Sequence, residues 1–280
     1  MSARFTRKNH ASSHSYLLDG APVPGVTSVI GILDKPALVK WAASETAAYA
    51  DEHWAELSGL RSADRIKRLE GARFSTNRRA IVRGNRVHAL GERLSKGEHI
   101  EEGEITPELR PWVEGYARFL DEWEIEILHS EMPVCHTEYR YGGTLDAIGV
   151  SPRLGRVLLD IKTGKGVYAE TALQLAAYRF ADLGLVPVDV IGPRGGKSIE
   201  WQEIPVPATD STIVAHVRED GTSAIPTVSD RETWEAFLYI LAVHDVWVKR
   251  TGWDARNSDN YLRAVGSAIY PEDHPRKEAS

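Results

Sequence analysis

Two aspartates and a lysine stand near the ends of two short apolar segments. Asp146 lies in the first segment, and Asp160 and Lys162 end the second. The residues between the segments include Ser-Pro-Arg-Leu-Gly, which is typical of a turn, so an antiparallel hairpin is predicted. Residues two apart in a strand share a face, so Asp160 and Lys162 point the same way. Carboxylate oxygens bind hard divalent cations and an ammonium group can face a phosphate, so the sequence predicts a metal and phosphate site here.

The simpler interpretation of the same residues is a surface salt bridge, because Asp-x-Lys is a common sequence. Val157, Leu158 and Leu159 precede Asp160 and are all apolar, as in a strand that is buried on both faces. Charges at the end of such a strand are buried too, and buried charges persist when they are paired or bind a metal. The apolar segment therefore favours a functional site.

A helix is predicted over residues 168–182, because strong helix formers follow one another there without a breaker. Gln174 and Tyr178 are four residues apart on this helix and share one face. They could be an ordinary polar flank. Because the helix begins only a few residues after Lys162, the same face could also look back at the carboxylates.

Three motifs follow one another in the chain, and they are Gly143-Thr-Leu-Asp146, Asp160-Ile-Lys-Thr163 and Gln174-Leu-Ala-Ala-Tyr178. In this order they resemble the PD-(D/E)XK nuclease superfamily, and more narrowly its RecB-type exonuclease branch, with its G-x-x-D, D-x-K-T and Q-x-x-x-Y signature. The resemblance is close over about residues 80–182. It implies an α/β fold with a restriction-endonuclease-like core, in which a small mixed β-sheet is flanked by helices, and helical additions at both ends.

His88 matches a further feature of this branch, a histidine on an upstream helix within the pattern R-G-x-x-x-H. Its neighbours one helical turn away are Gly84 and Gly91. Two glycines within a helix cost about 1 kcal/mol each relative to alanine, a cost that is tolerated where another group approaches closely. The alternative is a half-buried structural histidine with a backbone partner.

The resemblance implies a divalent cation, Mg²⁺ or Mn²⁺, and assigns its ligands as His88, Asp146, Asp160 and the carbonyl of Ile161. It implies catalytic roles for Lys162, which would orient the attacking water, and for Gln174 and Tyr178, which would position the DNA backbone. The family also has an acidic residue on the strand before G-x-x-D. Glu131 and Glu138 are both candidates, and Glu131 matches the position better.

Basic residues are concentrated in residues 61–86. Nine Lys or Arg against Asp64 and Glu70 give this segment a net charge of +7, although the whole chain carries −6. A basic segment that leads into the His88 helix suits contact with DNA phosphates. The alternative is a solvated helix face. The candidate DNA-binding residues are Arg79, Arg83, Arg86 and, after the hairpin, Lys165.

Composition and cysteine content limit the remaining possibilities. The chain is 42% hydrophobic and 26% charged, as is ordinary for a globular protein. No apolar run approaches the roughly 20 residues of a transmembrane helix, so we expect no membrane association. The single cysteine, Cys135, excludes the four-cysteine iron–sulfur cluster of some relatives and a disulfide within the chain. A single cysteine fits a reducing cytoplasm. The resemblance implies a bacterial protein, or a phage protein in the host cytoplasm.

Four regions are predicted, an N-terminal helical and hairpin region with the basic segment (1–79), a nuclease core (80–210), a C-terminal helical region (211–269) and a disordered tail (270–280). The implied function is a metal-dependent DNA exonuclease in recombination, repair or phage DNA processing, working with DNA and with an annealing protein or a helicase. Two alternatives stay open. One is a non-catalytic DNA-binding or assembly subunit on the same fold, and the other is a site-specific or RNA-directed endonuclease.

Overall fold

The computed structural model describes residues 3–10, 13–95, 98, 100–191 and 196–251, apart from the side chains of 73, 75–81, 94–95, 102 and 248–251. The tail predicted at 270–280 lies outside them. The described strands are β1 (Phe5–Asn9), β2 (His14–Leu18), β3 (Ala21–Val23), β4 (Glu126–His136), β5 (Tyr141–Ser151), β6 (Gly155–Lys162), β7 (Leu183–Ile191), β8 (Lys197–Pro205), β9 (Ser211–Arg218) and β10 (Gly221–Pro226). The described α-helices are α1 (Val26–Ile30), α2 (Pro36–Glu52), α3 (Trp54–Ser58), α4 (Ser62–Ser95), α5 (Arg110–Glu122), α6 (Glu170–Arg179) and α7 (Arg231–Thr251).

The fold is mixed α/β, as predicted. Seven strands form one sheet in the order β10-β9-β6-β5-β4-β7-β8, and β1, β2 and β3 form a separate antiparallel sheet. Neighbours in the large sheet are antiparallel except β6 and β9, which run parallel. Residues of α1, α6 and α7 share one hydrophobic core with the large sheet, and residues of α4 and α5 share another. The large sheet is therefore covered by helices on both faces.

Strand β6 belongs to both cores. Leu158 packs with the α6 and α7 side, whereas Val157, Leu159 and Ile161 pack with the α4 and α5 side. This alternation follows from the two-residue repeat of a strand and explains why the segment has consecutive apolar residues. The predicted hairpin is confirmed, because β5 and β6 pair antiparallel through a turn at residues 152–154.

Residues 211–226 form strands, so the prediction of a helical region starting at residue 211 was wrong for this part. Strand β9 pairs in parallel with β6, placing Val214 beside Asp160, and β10 pairs with β9. The physical reason is that Ile213, Val214 and Ala215 are consecutively apolar and buried, the pattern of a strand covered on both faces. The helix begins only at Arg231. Within the described residues, no helix is long and apolar enough to cross a bilayer.

Candidate metal and catalytic site

Three carboxylates lie in one row across neighbouring strands of the large sheet. The residues on either side of Glu131 in β4 pair with the residues on either side of Asp146 in β5, so these two acids are opposite each other. The last paired residues of β5 and β6 on this side are Ala147 and Leu159, which are the sequence neighbours of Asp146 and Asp160. Antiparallel register therefore brings Glu131 and Asp160, the two outer members of the row, close together although they are 29 positions apart in the chain.

Strands β5 and β6 separate at this row, and a side-chain oxygen replaces the backbone carbonyl as the hydrogen-bond acceptor. The Ile161 N–H donates a hydrogen bond to Asp146 Oδ2 at 2.7 Å. A buried N–H without an acceptor is costly, so the Asp146 carboxylate stabilises the point where the strands part. We call this point, where the pairing of β5 with β6 ends beside Asp146 and Asp160, the fork.

His88 reaches the fork from helix α4. Its Nε2 lies 2.9 Å from the Ile161 carbonyl oxygen, and its Nδ1 lies 3.6 Å from Asp146 Oδ2. A carbonyl oxygen only accepts hydrogen bonds, so in the neutral ring Nε2 carries the proton and Nδ1 presents its lone pair beside the carboxylate. Histidines that bind metals are commonly oriented in this way, by donating their other N–H to a backbone carbonyl.

His88, Glu131 and Asp146 together could hold a metal ion. Each offers one ligand atom, and these atoms lie within 4.8 Å of one another. All three side chains are half-buried, so an ion between them would be partly removed from water. One imidazole nitrogen with two carboxylate oxygens suits Mn²⁺, and the carboxylates suit Mg²⁺, so the donor set fits the cation that the sequence implied.

This group differs from the predicted ligand set. Glu131 belongs to it, whereas the predicted ligands Asp160 and Ile161 have other partners: the Ile161 carbonyl accepts from His88, and Asp160 binds Lys162. Their roles as ligands stay predictions. The acidic residue on β4 is Glu131 rather than Glu138, because Glu138 lies in the turn between β4 and β5.

Glu131 has an unusual backbone and an unusual acidity. Its φ angle is +48°, within the left-handed region that side chains other than glycine seldom adopt. Burial and the charge of Asp146 raise the pKa of Glu131 to about 7, although His88 and Arg7 oppose the shift. Strain and a raised pKa in one residue are typical of functional sites, because a fold retains them where a ligand later compensates for their cost.

Buried Asp160 and half-buried Lys162 form an ion pair next to this group. Lys162 Nζ donates to Asp160 Oδ1 at 2.9 Å and lies 2.8 Å from Oδ2. Asp160 is only 1% exposed. Burial and the Asp146 charge raise the pKa of Asp160, whereas Lys162 opposes this shift. Burial alone would lower the pKa of Lys162, but the Asp160 and Asp146 charges outweigh burial and raise it, so the ammonium stays charged at neutral pH.

Gln174 and Tyr178 extend the ion pair into helix α6. Lys162 Nζ lies 3.5 Å from Gln174 Oε1, and Gln174 Nε2 donates to the Tyr178 hydroxyl at 3.3 Å. Tyr178 is only 3% exposed. In the structure Tyr178 thus contacts Gln174, and Gln174 contacts the lysine, while the predicted contact of Tyr178 with the DNA backbone stays a prediction.

The glycines of the motifs are explained by close packing. A Cβ atom at Gly143 would overlap the Tyr178 ring. A Cβ at Gly84 would lie 3.2 Å from Thr163 Oγ1, and one at Gly91 would lie 3.0 Å from the Tyr116 ring. The two helical glycines beside His88 therefore let α4 approach the sheet and α5 closely, as predicted.

The basic residues of α4 do not all face the site. The Arg83 guanidinium stacks over the Trp112 ring of α5, 4.4 Å from its centroid. Arg86 is exposed, but it is two residues before His88 and hence about 200° around the helix from it. The side chain of Arg79 lies outside the described residues. Contacts of α4 with DNA phosphates would therefore be made away from the metal group.

Lys165 lies in the loop that follows β6, and its side chain is exposed. The loop is held by strand β9, because His216 Nε2 lies 2.9 Å from the Gly164 carbonyl oxygen and Arg218 Nη1 donates to the same oxygen at 3.0 Å. The sequence analysis missed these two loop-holding residues. It also missed Glu92, whose charge raises the pKa of Glu131 and whose place one helical turn after His88 was a usable signal.

Comparison with known proteins leaves the chemistry of the site as the guide to function. No protein-family model matches the chain, and no curated protein matches it.

Proposed function

We propose that the chain is a divalent-metal-dependent deoxyribonuclease of the PD-(D/E)XK type, with a restriction-endonuclease-like core, that degrades DNA as an exonuclease. The observation that carries the proposal is the group of His88, Glu131 and Asp146, which could hold a metal, beside the ion pair of Asp160 and Lys162. The order of the sequence motifs supports it independently. A role in recombination, repair or phage DNA processing, beside an annealing protein or a helicase, belongs to the same proposal.

Lys162 is the residue that acts on the scissile phosphate. Mg²⁺ or Mn²⁺ held by His88, Glu131 and Asp146 would supply positive charge and Lewis acidity beside that phosphate. Lys162 keeps its proton at neutral pH and is fixed by Asp160 and Gln174, so it donates a hydrogen bond to the negative charge that develops during hydrolysis. Because its position is set before substrate arrives, little reorganisation is needed during the reaction.

Glu131 and His88 affect the charge and the geometry of the proposed metal-binding group. Burial and the Asp146 charge raise the pKa of Glu131 to about 7 in the metal-free protein, so this carboxyl would give up its proton when a cation binds. His88 is held by the Ile161 carbonyl, so its Nδ1 stays directed at Asp146. The buried Asp160 carboxylate speaks against a decayed, non-catalytic subunit, because a protein without catalysis gains little from keeping that charge out of water.

The test is digestion of end-labelled linear DNA, single- and double-stranded, and of closed circular DNA, with Mg²⁺, Mn²⁺ or a chelator. We expect metal-dependent cleavage of linear DNA and none of the closed circle. Cleavage of the circle would instead indicate an endonuclease. Asp146→Asn is the inactive control, and Glu138→Gln, in an exposed turn, is the matched active control. A folded wild-type protein that cleaves no DNA with either metal would refute the proposal.

A further inference from the structure

A cleft of about 800 Å³ opens beside the metal group, and Glu131 lines it. It exists because β4 and β7 pair only at Val134 with Gly184 and at Cys135 with Leu183, so the two strands separate before Glu131 is reached. Strand β7 meanwhile remains paired with β8 along its length. The volume is within the range of sites that bind small organic molecules, and it is large enough for a nucleotide.

The walls of the cleft expose large apolar side chains. Trp201 of β8 is 50% exposed and pairs with Pro187 of β7, and Leu128 of β4 is 44% exposed. Leu128 lies at a β-bulge between Ile127 and His129, a feature that redirects side chains and is frequent beside active sites. Half of the Trp201 surface is not packed against other residues, so its ring is available for stacking with a flat ligand.

Arg7 adds a positive charge to the same cleft. Its guanidinium donates to Asn9 Oδ1 at 3.0 Å and lies 3.4 Å from His14 Nδ1. Burial and Arg7 itself lower the pKa of His14, so both partners are neutral at pH 7. The arginine therefore keeps its charge for an anion. Glu92 and Glu131, the acidic residues of the cleft, lie toward the metal group, where a cation offsets them.

We propose that the cleft binds an unpaired nucleotide next to the scissile phosphate, with its base stacked on Trp201 and a phosphate near Arg7. An exposed aromatic ring with a neighbouring cation is the usual means of binding single strands without sequence preference. A base still paired in a duplex is covered on its faces by stacked neighbours and on its edge by the partner strand, so it is not free to stack on Trp201. The preferred substrate is therefore a single strand or a frayed end. This inference rests on the proposed function for its reaction, but not for its binding step.

The experiment places 2-aminopurine at the end of a single-stranded oligonucleotide, because stacking quenches its fluorescence. Binding is measured in Ca²⁺, with the DNA length checked on a gel. Wild-type protein should quench the probe and should bind it more tightly than a blunt duplex. Trp201→Ala should lose the quenching and bind the single strand about tenfold or more weakly, whereas Trp201→Phe should retain most of both. Trp54→Ala, at a 58% exposed tryptophan of α3, is the matched control.

The outcomes separate this inference from the proposed function. Metal-dependent cleavage with equal quenching by wild type and Trp201→Ala would refute nucleotide binding in the cleft and leave the proposed nuclease function standing. Trp201-dependent quenching by a protein that cleaves nothing would refute the nuclease function and support nucleotide binding in the cleft. A second measurement needs no variant: 5-iodouracil at the same nucleotide should photocrosslink to the wild-type peptide that contains Trp201. A crosslink that maps only elsewhere would also overturn the cleft.

Discussion

The backbone N–H of Ile161 donates its hydrogen bond to the side chain of Asp146 rather than to a backbone carbonyl, at 2.7 Å. Asp146 thus has two tasks. One carboxylate oxygen accepts from Ile161 where β5 and β6 part, and in the proposed function the charge of the group would attract a cation beside His88 and Glu131. The two tasks need different chemistry, because the first needs only an acceptor oxygen.

Asp146→Asn should separate the tasks. Its amide oxygen can still accept from Ile161, so we expect a stable protein whose affinity for Mn²⁺ falls at least tenfold. Asp146→Ala should lose the same affinity and also about 1–3 kcal/mol of unfolding free energy, because the buried N–H loses its acceptor. Calorimetric Mn²⁺ titration and urea unfolding measure the two effects. Wild-type Mn²⁺ affinity in a folded Asp146→Asn protein would contradict a ligand role.

Glu131 should make the metal-free protein less stable as the pH rises. Its pKa is about 7 in the folded protein and 4.5 ordinarily, so between these values the folded state holds more protons than the unfolded state. Stability from this group is therefore greatest below pH 4.5 and falls as the pH rises through 7.

Glu131→Gln should remove this pH dependence. Relative to wild type, the variant should gain on the order of 1–3 kcal/mol between pH 5 and pH 7.5, measured by urea unfolding with a chelator present. Other titrating groups cancel in the difference between the two proteins. The variant should also lose metal affinity. An equal stability difference at both pH values would show that the glutamate titrates normally.

Lys162 should affect the reaction more than metal binding. Lys162→Gln can still donate to Asp160 but lacks the charge, so we expect Mn²⁺ affinity within a few-fold of wild type. Single-turnover cleavage should slow by about a hundredfold or more. Lys162→Arg should not restore the rate, because a planar guanidinium does not occupy the same point. Lys40→Gln, at an exposed lysine of α2, is the control for general charge loss. A Lys162→Gln protein with an unchanged rate would refute the catalytic role.

Gly143 should tolerate no side chain. In Gly143→Ala the new Cβ overlaps the buried ring of Tyr178, so we expect a loss of about 1–3 kcal/mol in unfolding free energy. Gly166→Ala is the matched control, because no described atom lies within 4 Å of a Cβ built there. Tyr178→Leu in the Gly143→Ala background should recover part of the loss in a double-mutant cycle. Equal unfolding midpoints for the two alanine variants would contradict the overlap.

Arg86 and Lys165 should contribute to DNA binding through charge alone. Each substitution by Gln should weaken binding of every sequence and reduce the slope of log K against log salt by about one. Arg61→Gln is the control, because Arg61 already binds Asp64 at 2.9 Å. Slopes that match wild type would make both residues ordinary surface charges.

The sequence predicted the β5–β6 hairpin, the buried carboxylates and the close packing at Gly84 and Gly91, because these depend on local patterns. Apolar residues two apart, turn residues and helical spacing act over a few positions. The fork and the conformation of Glu131 were not predictable in this way. A φ angle of +48° in a glutamate and a side chain that replaces a backbone acceptor leave no trace in motif spacing.

The parallel pairing of β9 with β6 was not predictable for a different reason. Ile213 to Ala215 could be recognised as a strand, but nothing in those residues specifies a partner more than 50 positions earlier. The cleft depends on the same kind of information, since it forms where the pairing of β4 with β7 stops. Non-local contacts of this kind are decided by the whole sheet rather than by a segment.

The parallel pair of β6 and β9 also sets the order in which the protein becomes competent during synthesis. Asp160 and Lys162 leave the ribosome before β9, so β6 is then an open edge whose N–H and C=O groups on one side lack partners. Until residues 211–218 have been made, the strand that carries Asp160 and Lys162 lacks its β9 neighbour. The boundary expected at residue 210 would give a fragment arrested at this stage, exposing a strand that pairs readily with other chains.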